Sequence, residues 1–180
     1  MTTMTVREMN QVTILTTQRL WLRPLKLTDL HTMHRIWTEA GVRKYLWDDE
    51  IISAETARAA IQASIQAFEQ QGFGLWGIIH KHTAALIGFC GVRLYADTLE
   101  NELLYGLSEG YWGRGLTTEA ARVVVDYLFT QQLTERVIAL ASPANAGSCR
   151  VAEGAGMRFE REIVHNGELL HYYAIEKTGG

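Results

Sequence analysis

Residues 110–121 read GYWGRGLTTEAA and follow, after Ser108 and Glu109, on 103–107, LLYGL, a strand-like run. Such a chain turns sharply out of a strand and opens a helix. Gly113 and Gly115 sit at the turn, where side chains would hold the backbone away from an approaching anion. The first N–H groups of a helix lack intrahelical partners and lie at the positive end of its dipole, so they suit phosphate. No lysine is needed for a diphosphate held this way. The stretch lacks the Lys-Ser or Lys-Thr of a Walker loop, and its glycine spacing differs from that of the G-x-G-x-x-G dinucleotide turn. The reading is a coenzyme with a diphosphate, and so an enzyme.

The rest of the chain is consistent with that reading without requiring it. Its 180 residues suit one domain with a sizeable core. A net charge of −3 argues against a nucleic-acid surface driven by net charge. The first sixteen residues carry no apolar run of signal-peptide length, and nowhere do about eighteen apolar residues run together. The expectation is a cytoplasmic protein with no membrane segment. Cys90 and Cys149 are too few for a metal motif, and the His31/His34 pair has no further ligands nearby; no metal is expected.

The hydrophobic period changes several times along the chain, as a mixed α/β domain requires. Residues 19–23 alternate as a strand that Pro24 ends. Asp29 is placed to cap a helix running to about residue 40, and Ser53 to cap a second over 54–71, with Ala57, Ile61, Ile65 and Phe68 on one face and Gly72 closing it. Strands over 73–80 and 85–95 pair as a hairpin, with 102–107 alongside. The segment 116–132 contains Val123-Val124-Val125 but is too long for one strand, so length decides for a helix. Strands over 157–165 and 169–177 join through Asn166-Gly167, residues that accept positive φ.

By the window 112–117, WGRGLT, the chain resembles the GNAT superfamily of acetyl-CoA-dependent N-acetyltransferases. Trp112 stands where that motif has Gln or Arg, and Thr117 replaces its final small residue. The fuller string, with Tyr111, Trp112, Thr118, Glu119 and Ala120 in register, resembles the ribosomal-protein N-terminal acetyltransferase branch. Two further segments carry the likeness: 17–25, TQRLWLRPL, and 136–159, with Asn145 and Ser148 at its centre. The resemblance implies a mixed, mostly antiparallel sheet of about six to seven strands flanked by about four helices. It implies one acetyltransferase domain over 17–177 behind an extension at 1–16.

For the coenzyme it implicates the backbone of Gly113, Arg114, Gly115, Leu116, Thr117 and Thr118 at the diphosphate, and Tyr105 and Leu107 beside the pantetheine arm. Leu107 N–H is also the candidate oxyanion donor. Asn145 matches the family asparagine that bonds the pantetheine, though an Asn here can also cap the next helix. Glu102 is in register with the strand-four glutamate that serves as base, though it also reads as a solvated side chain, and Glu100 and Glu109 are neighbouring carboxylates. Many of these enzymes protonate the leaving thiolate with a tyrosine about seven residues after the asparagine, a position held here by Ala152. Ser148 matches the serine given that role in the ribosomal-protein branch; it can also simply satisfy amides of a helix's first turn.

The acceptor is then a primary amine on a protein N-terminus or a small molecule such as a polyamine, amino acid or aminoglycoside. A non-catalytic acyl-CoA sensor is the alternative from another class. An α-amine with pKa about 7.7–8.0 is roughly 10–20% neutral at pH 7, whereas lysine, about 10.4, is only about 0.04% neutral. The gap of about 2.5 units, roughly 3.5 kcal/mol, favours an N-terminal acceptor where the base is modest. Tyr45, Trp47, Asp48, Asp49 and Glu50 form a prospective lip for a cationic amine, unless Trp47 only covers the core. A monomer and a homodimer are both compatible with the chain.

Overall fold

The computed structural model describes residues 13–178. In chain order the elements are β1 (Leu15–Thr16), β2 (Leu20–Pro24), α1 (Leu30–Thr38), α2 (Ala40–Leu46), α3 (Ala54–Gln71), β3 (Leu75–His80), β4 (Leu86–Leu94) and β5 (Asn101–Leu107). They continue as α4 (Leu116–Thr130), β6 (Arg136–Ala141), α5 (Ala146–Gly154), β7 (Arg158–His165) and β8 (Glu168–Glu176), with 3-10 turns at Leu27–Asp29 and Glu109–Tyr111. The strands form one sheet in the order β1-β2-β3-β4-β5-β6-β8-β7. All neighbours are antiparallel except β5 and β6, which run parallel and register only at Glu102 opposite Ile138. Beyond that pair their C-terminal halves lack ladder partners in each other, and the sheet opens as a split.

Two cores sandwich the sheet. On one face α4 contributes Leu116, Ala120, Ala121, Val124, Val125 and Leu128, a helical period whose burial overrides the strand preference of the valine run. The opposite face is covered by Met33, Ile36 and Trp37 of α1 and by Ala57 and Ile61 of α3. The hydroxyl of Ser53 accepts from Thr56 N at 3.1 Å, capping α3 as expected, and Gly72 closes the helix. The β7–β8 turn is also as expected, with Asn166 and Gly167 at φ 49° and 82°.

Three expectations need correction. The sheet has eight strands rather than six to seven, because the short β1 adds an edge. There are five helices rather than four: the first expected helix breaks at Glu39 (φ −57°, ψ 137°), and α2 begins after it. The break aims the Glu39 carboxylate at Ser108 Oγ (2.8 Å) and Glu109 N (2.7 Å), a bond pair that no local pattern encodes. Asp29 does not cap α1 with its side chain. Its carboxylate instead takes Arg23 bidentately (2.7 and 2.8 Å) together with Lys26 N. The extension expected at 1–16 lies outside the described residues up to position 12, and Leu15 and Thr16 at its end pair with Leu22 and Trp21 in the sheet.

Candidate active site

The split between β5 and β6 is built by hydrogen-bond register. Ser108 N donates to Ile87 O at 2.8 Å, and Leu107 pairs with Gly88 in the same antiparallel ladder. Residues in such a ladder alternate, so if Ser108 points its peptide at β4, Leu107 and Tyr105 point theirs away from it. Both sets of N–H and C=O groups therefore face the β6 side. The Leu107 carbonyl is held from outside the sheet, accepting from Trp112 Nε1 at 2.7 Å. Gly88 allows β4 to approach here, since a Cβ at that position would meet the Gly106 carbonyl and Leu107 Cα.

Just past β5 the chain turns into α4. Gly113 and Gly115 both lie at φ 72°, in the left-handed region where an L side chain costs about 1–2 kcal/mol. Gly115 is the N-cap residue of α4 and no side chain caps the helix, so the amides of its first turn face outward with no side-chain cap. Residues 113–115 are exposed, Leu116 is buried, and Thr117 and Thr118 are half-buried. The Arg114 guanidinium lies over the Tyr111 ring and donates to Gly110 O at 3.0 Å.

A network that the sequence did not reveal braces this turn. Glu119 accepts from Thr17 Oγ1, from Arg19 N (2.9 Å) and from Arg19 Nε (2.7 Å), while Arg19 Nη1 donates to Arg114 O at 2.8 Å. The edge of the sheet thus holds both the first turn of α4 and the loop before it. Burial alone would raise the Glu119 pKa, but the bonds from Thr17 and Arg19 outweigh it and hold the carboxyl below its ordinary range. A group whose folded pKa is depressed stabilises the fold above its unfolded value and loses that contribution as pH falls through the folded value. With Arg19 43% exposed, solvent screening limits the contribution to about 1 kcal/mol. Glu119→Gln is therefore expected to lower the urea midpoint by a constant amount above about pH 5, with the gap to wild type closing below about pH 4.

Across the split, α5 starts beside the end of β6. Asn145 caps it, its Oδ1 accepting from Ser148 N at 3.1 Å. That satisfies only the carbonyl end of the amide; among the described residues its NH2 group has no partner and stays available as a donor. Ser148 Oγ donates to the Tyr105 phenol at 3.1 Å, and that phenol donates to Ser148 O at 2.9 Å. Tyr105, Leu107, Asn145 and Ser148 thus gather around the split, with the turn 113–118 at its edge. Glu102 stands apart. It is 4% exposed at the closed end and ion-paired to Arg93 Nε at 2.9 Å. It lies five positions before Leu107, about 16 Å along the strand.

The prospective acceptor lip is divided. Trp47 packs into the core edge-on to Trp37 (5.9 Å), whereas Asp48, Asp49 and Glu50 are exposed and Asp49 pairs with Arg43. Tyr45 lies on α2 rather than in a loop, and its hydroxyl donates to Ala144 O at 3.3 Å. That bond ties the helix over one face to the loop that starts α5. A groove of about 570 Å³ runs along α4 from Gly115 and Thr118 to Arg122 and Asp126, with 17–19 as its other wall. It touches the turn but not Leu107, Asn145 or Ser148. Among the described residues no three His, Cys, Asp or Glu side chains gather to hold a metal, and no helix is long and apolar enough to cross a membrane.

A mixed sheet that opens between two parallel strands, with a helix N-terminus free of any side-chain cap at its edge, is the architecture of a coenzyme-A-dependent acyltransferase. The Acetyltransferase (GNAT) domain family matches residues 19–158, and the chain belongs to it. It is an acetyl-CoA-dependent N-acetyltransferase with acetyl-CoA as cosubstrate. A relative from Bacillus licheniformis, uncharacterized N-acetyltransferase p20, is 29% identical over 81% of this chain and 82% of its own. Among solved structures, a GNAT-family acetyltransferase from Bacillus anthracis is 25% identical, with a TM-score of 0.77 over 92% of this chain and 99% of its own. A ribosomal L7/L12 alpha-N-protein acetyltransferase solved in complex with coenzyme A has the same TM-score at 18% identity, covering 91% of this chain and 98% of its own, and shares the fold.

Proposed function

We propose that the protein moves the acetyl group of acetyl-CoA to a protein N-terminal α-amine by direct attack. One observation carries the choice of acceptor: the carboxylate chosen as base, Glu102, is committed to Arg93 and set back from the split. Reached only through water, such a group suits an amine already about a tenth neutral at pH 7 better than a lysine. The fold shared with the ribosomal-protein acetyltransferase supports the same acceptor by analogy.

In this reading the amides of 113–118, Gly113, Arg114, Gly115, Leu116, Thr117 and Thr118, hold the diphosphate, and Thr118 adds its hydroxyl. The outward peptides of Tyr105 and Leu107, with the free amide end of Asn145, hold the pantetheine arm. Leu107 N–H stabilises the oxyanion. The amine forms the new C–N bond, the C–S bond breaks toward sulfur, and Ser148 supplies the sulfur with its proton. The catalytic unit is the domain 17–177, preceded by the extension 1–16, and it works in the cytoplasm as a monomer or homodimer.

A small-molecule amine is the second reading, favoured by the exposed Asp48 and Glu50, which follow Tyr45 closely in the chain and offer carboxylates to a cation. Thiol release from acetyl-CoA, measured with N-terminal peptides, polyamines, amino acids and aminoglycosides, separates the two. Turnover at least about tenfold faster in kcat/KM with peptides is expected. Turnover confined to small amines would replace the N-terminal acceptor.

A further inference from the structure

Ala152, where many GNAT enzymes carry an acid tyrosine, is fully buried in α5. A phenol nevertheless reaches this helix, from the opposite wall of the split. Tyr105 rises from β5, and its hydroxyl makes two bonds to one residue: it accepts from Ser148 Oγ at 3.1 Å and donates to Ser148 O at 2.9 Å. Its alternating neighbours Leu103 and Leu107 lie on the same sheet face in the core beneath α4, so the ring is fixed by packing.

We propose that Tyr105 is a positioning residue for departure of the thiolate, holding the Ser148 hydroxyl in one orientation at the split; the inference rests on the acid role of Ser148 in the reading above. An isolated serine hydroxyl turns among three staggered wells and points at the departing sulfur only part of the time. The phenol fixes the oxygen: Ser148 Oγ donates to it at 3.1 Å, and once the Tyr105 O–H turns from the Ser148 carbonyl to that oxygen, the serine proton is freed toward sulfur. Once the ammonium proton has left through water to Glu102 and the neutral amine has attacked, Ser148 gives its proton to sulfur and its oxygen takes the second proton that the nitrogen sheds, so this step consumes no further acid or base. With its O–H already on the Ser148 oxygen, Tyr105 stabilises the charge that builds there. Burial pushes the phenol well above its ordinary pKa. Tyr105 therefore keeps its own proton throughout and acts only through Ser148.

The test compares Tyr105→Phe, Ser148→Ala and the double variant with wild type, using acetyl-CoA and whichever amine the wild type turns over best. Tyr105→Phe is expected to lower kcat about tenfold while KM for acetyl-CoA stays within about twofold. The double variant is expected to be no slower than Ser148→Ala, since a residue that acts through Ser148 has nothing left to act on. Wild-type kcat in Tyr105→Phe would overturn the proposal. So would a raised KM with kcat intact, which would make the phenol a coenzyme contact, or a double variant slower than Ser148→Ala by the whole Tyr105→Phe factor. Should Ser148→Ala itself retain full turnover, the acid assignment falls and this inference with it. A normal Tyr105→Phe beside a slow Ser148→Ala would overturn the inference alone. Thermal unfolding of each variant checks the fold, and Tyr105→Leu serves the same comparison if the phenylalanine variant does not fold.

Discussion

Gly115→Glu is expected to abolish measurable binding of coenzyme A, raising Kd at least about 100-fold, or about 2.7 kcal/mol. Two effects add. Gly115 caps α4 at φ 72°, where any L side chain is strained by about 1–2 kcal/mol. The new carboxylate would also sit at the helix N-terminus and compete for the field and the amides that the diphosphate uses. Crowding contributes little, because a Cβ there meets only Arg19 Nη2, at 3.7 Å. Gly115→Ala carries the strain without the charge and is expected to bind with an intermediate Kd. Calorimetry gives Kd directly, and thermal unfolding gives an independent check: coenzyme A at about 100 times its Kd stabilises a folded protein by about 2.7 kcal/mol. Wild type should show that shift and Gly115→Glu none. Undiminished binding in Gly115→Glu would move the diphosphate away from this turn.

Ser148→Ala is the second large effect, and it falls on turnover rather than binding. The backbone N of Ser148 stays capped by Asn145 and the change removes a single oxygen, so the loss in stability is only about 1 kcal/mol. Without a proton donor at sulfur, kcat should fall about 100-fold, with KM for acetyl-CoA unchanged within about twofold. Single-turnover acetyl transfer at saturating acetyl-CoA measures the chemical step apart from product release. Full turnover would remove the acid role from Ser148.

These two residues differ in how openly the chain declares them. The Gly115 reading is local: two glycines, a strand before and a helix after, all within a dozen residues. The α3 cap at Ser53 and the β7–β8 turn at Asn166-Gly167 were legible for the same reason, because their hydrogen bonds and dihedrals involve near neighbours in sequence. Ser148 was legible only by likeness, since nothing around it in the chain indicates that Tyr105, 43 residues away, supplies its partner. The α2 helix escaped because Glu39 breaks the chain for the sake of Ser108 and Glu109, about 70 residues on.

Local sequence alone therefore determined the alternation of helix and strand, the glycine turn at 113–118 into α4 and the cap of α3. It did so because propensity, capping and φ preference act within a few residues. The tertiary structure alone decided which peptides of β5 face the split, that Glu102 is spent on Arg93, that Glu119 is clamped by Thr17 and Arg19, and that the Tyr105 phenol meets Ser148. Each depends on strand register or on docking between distant segments, and those follow from how the whole core packs rather than from the residues alongside.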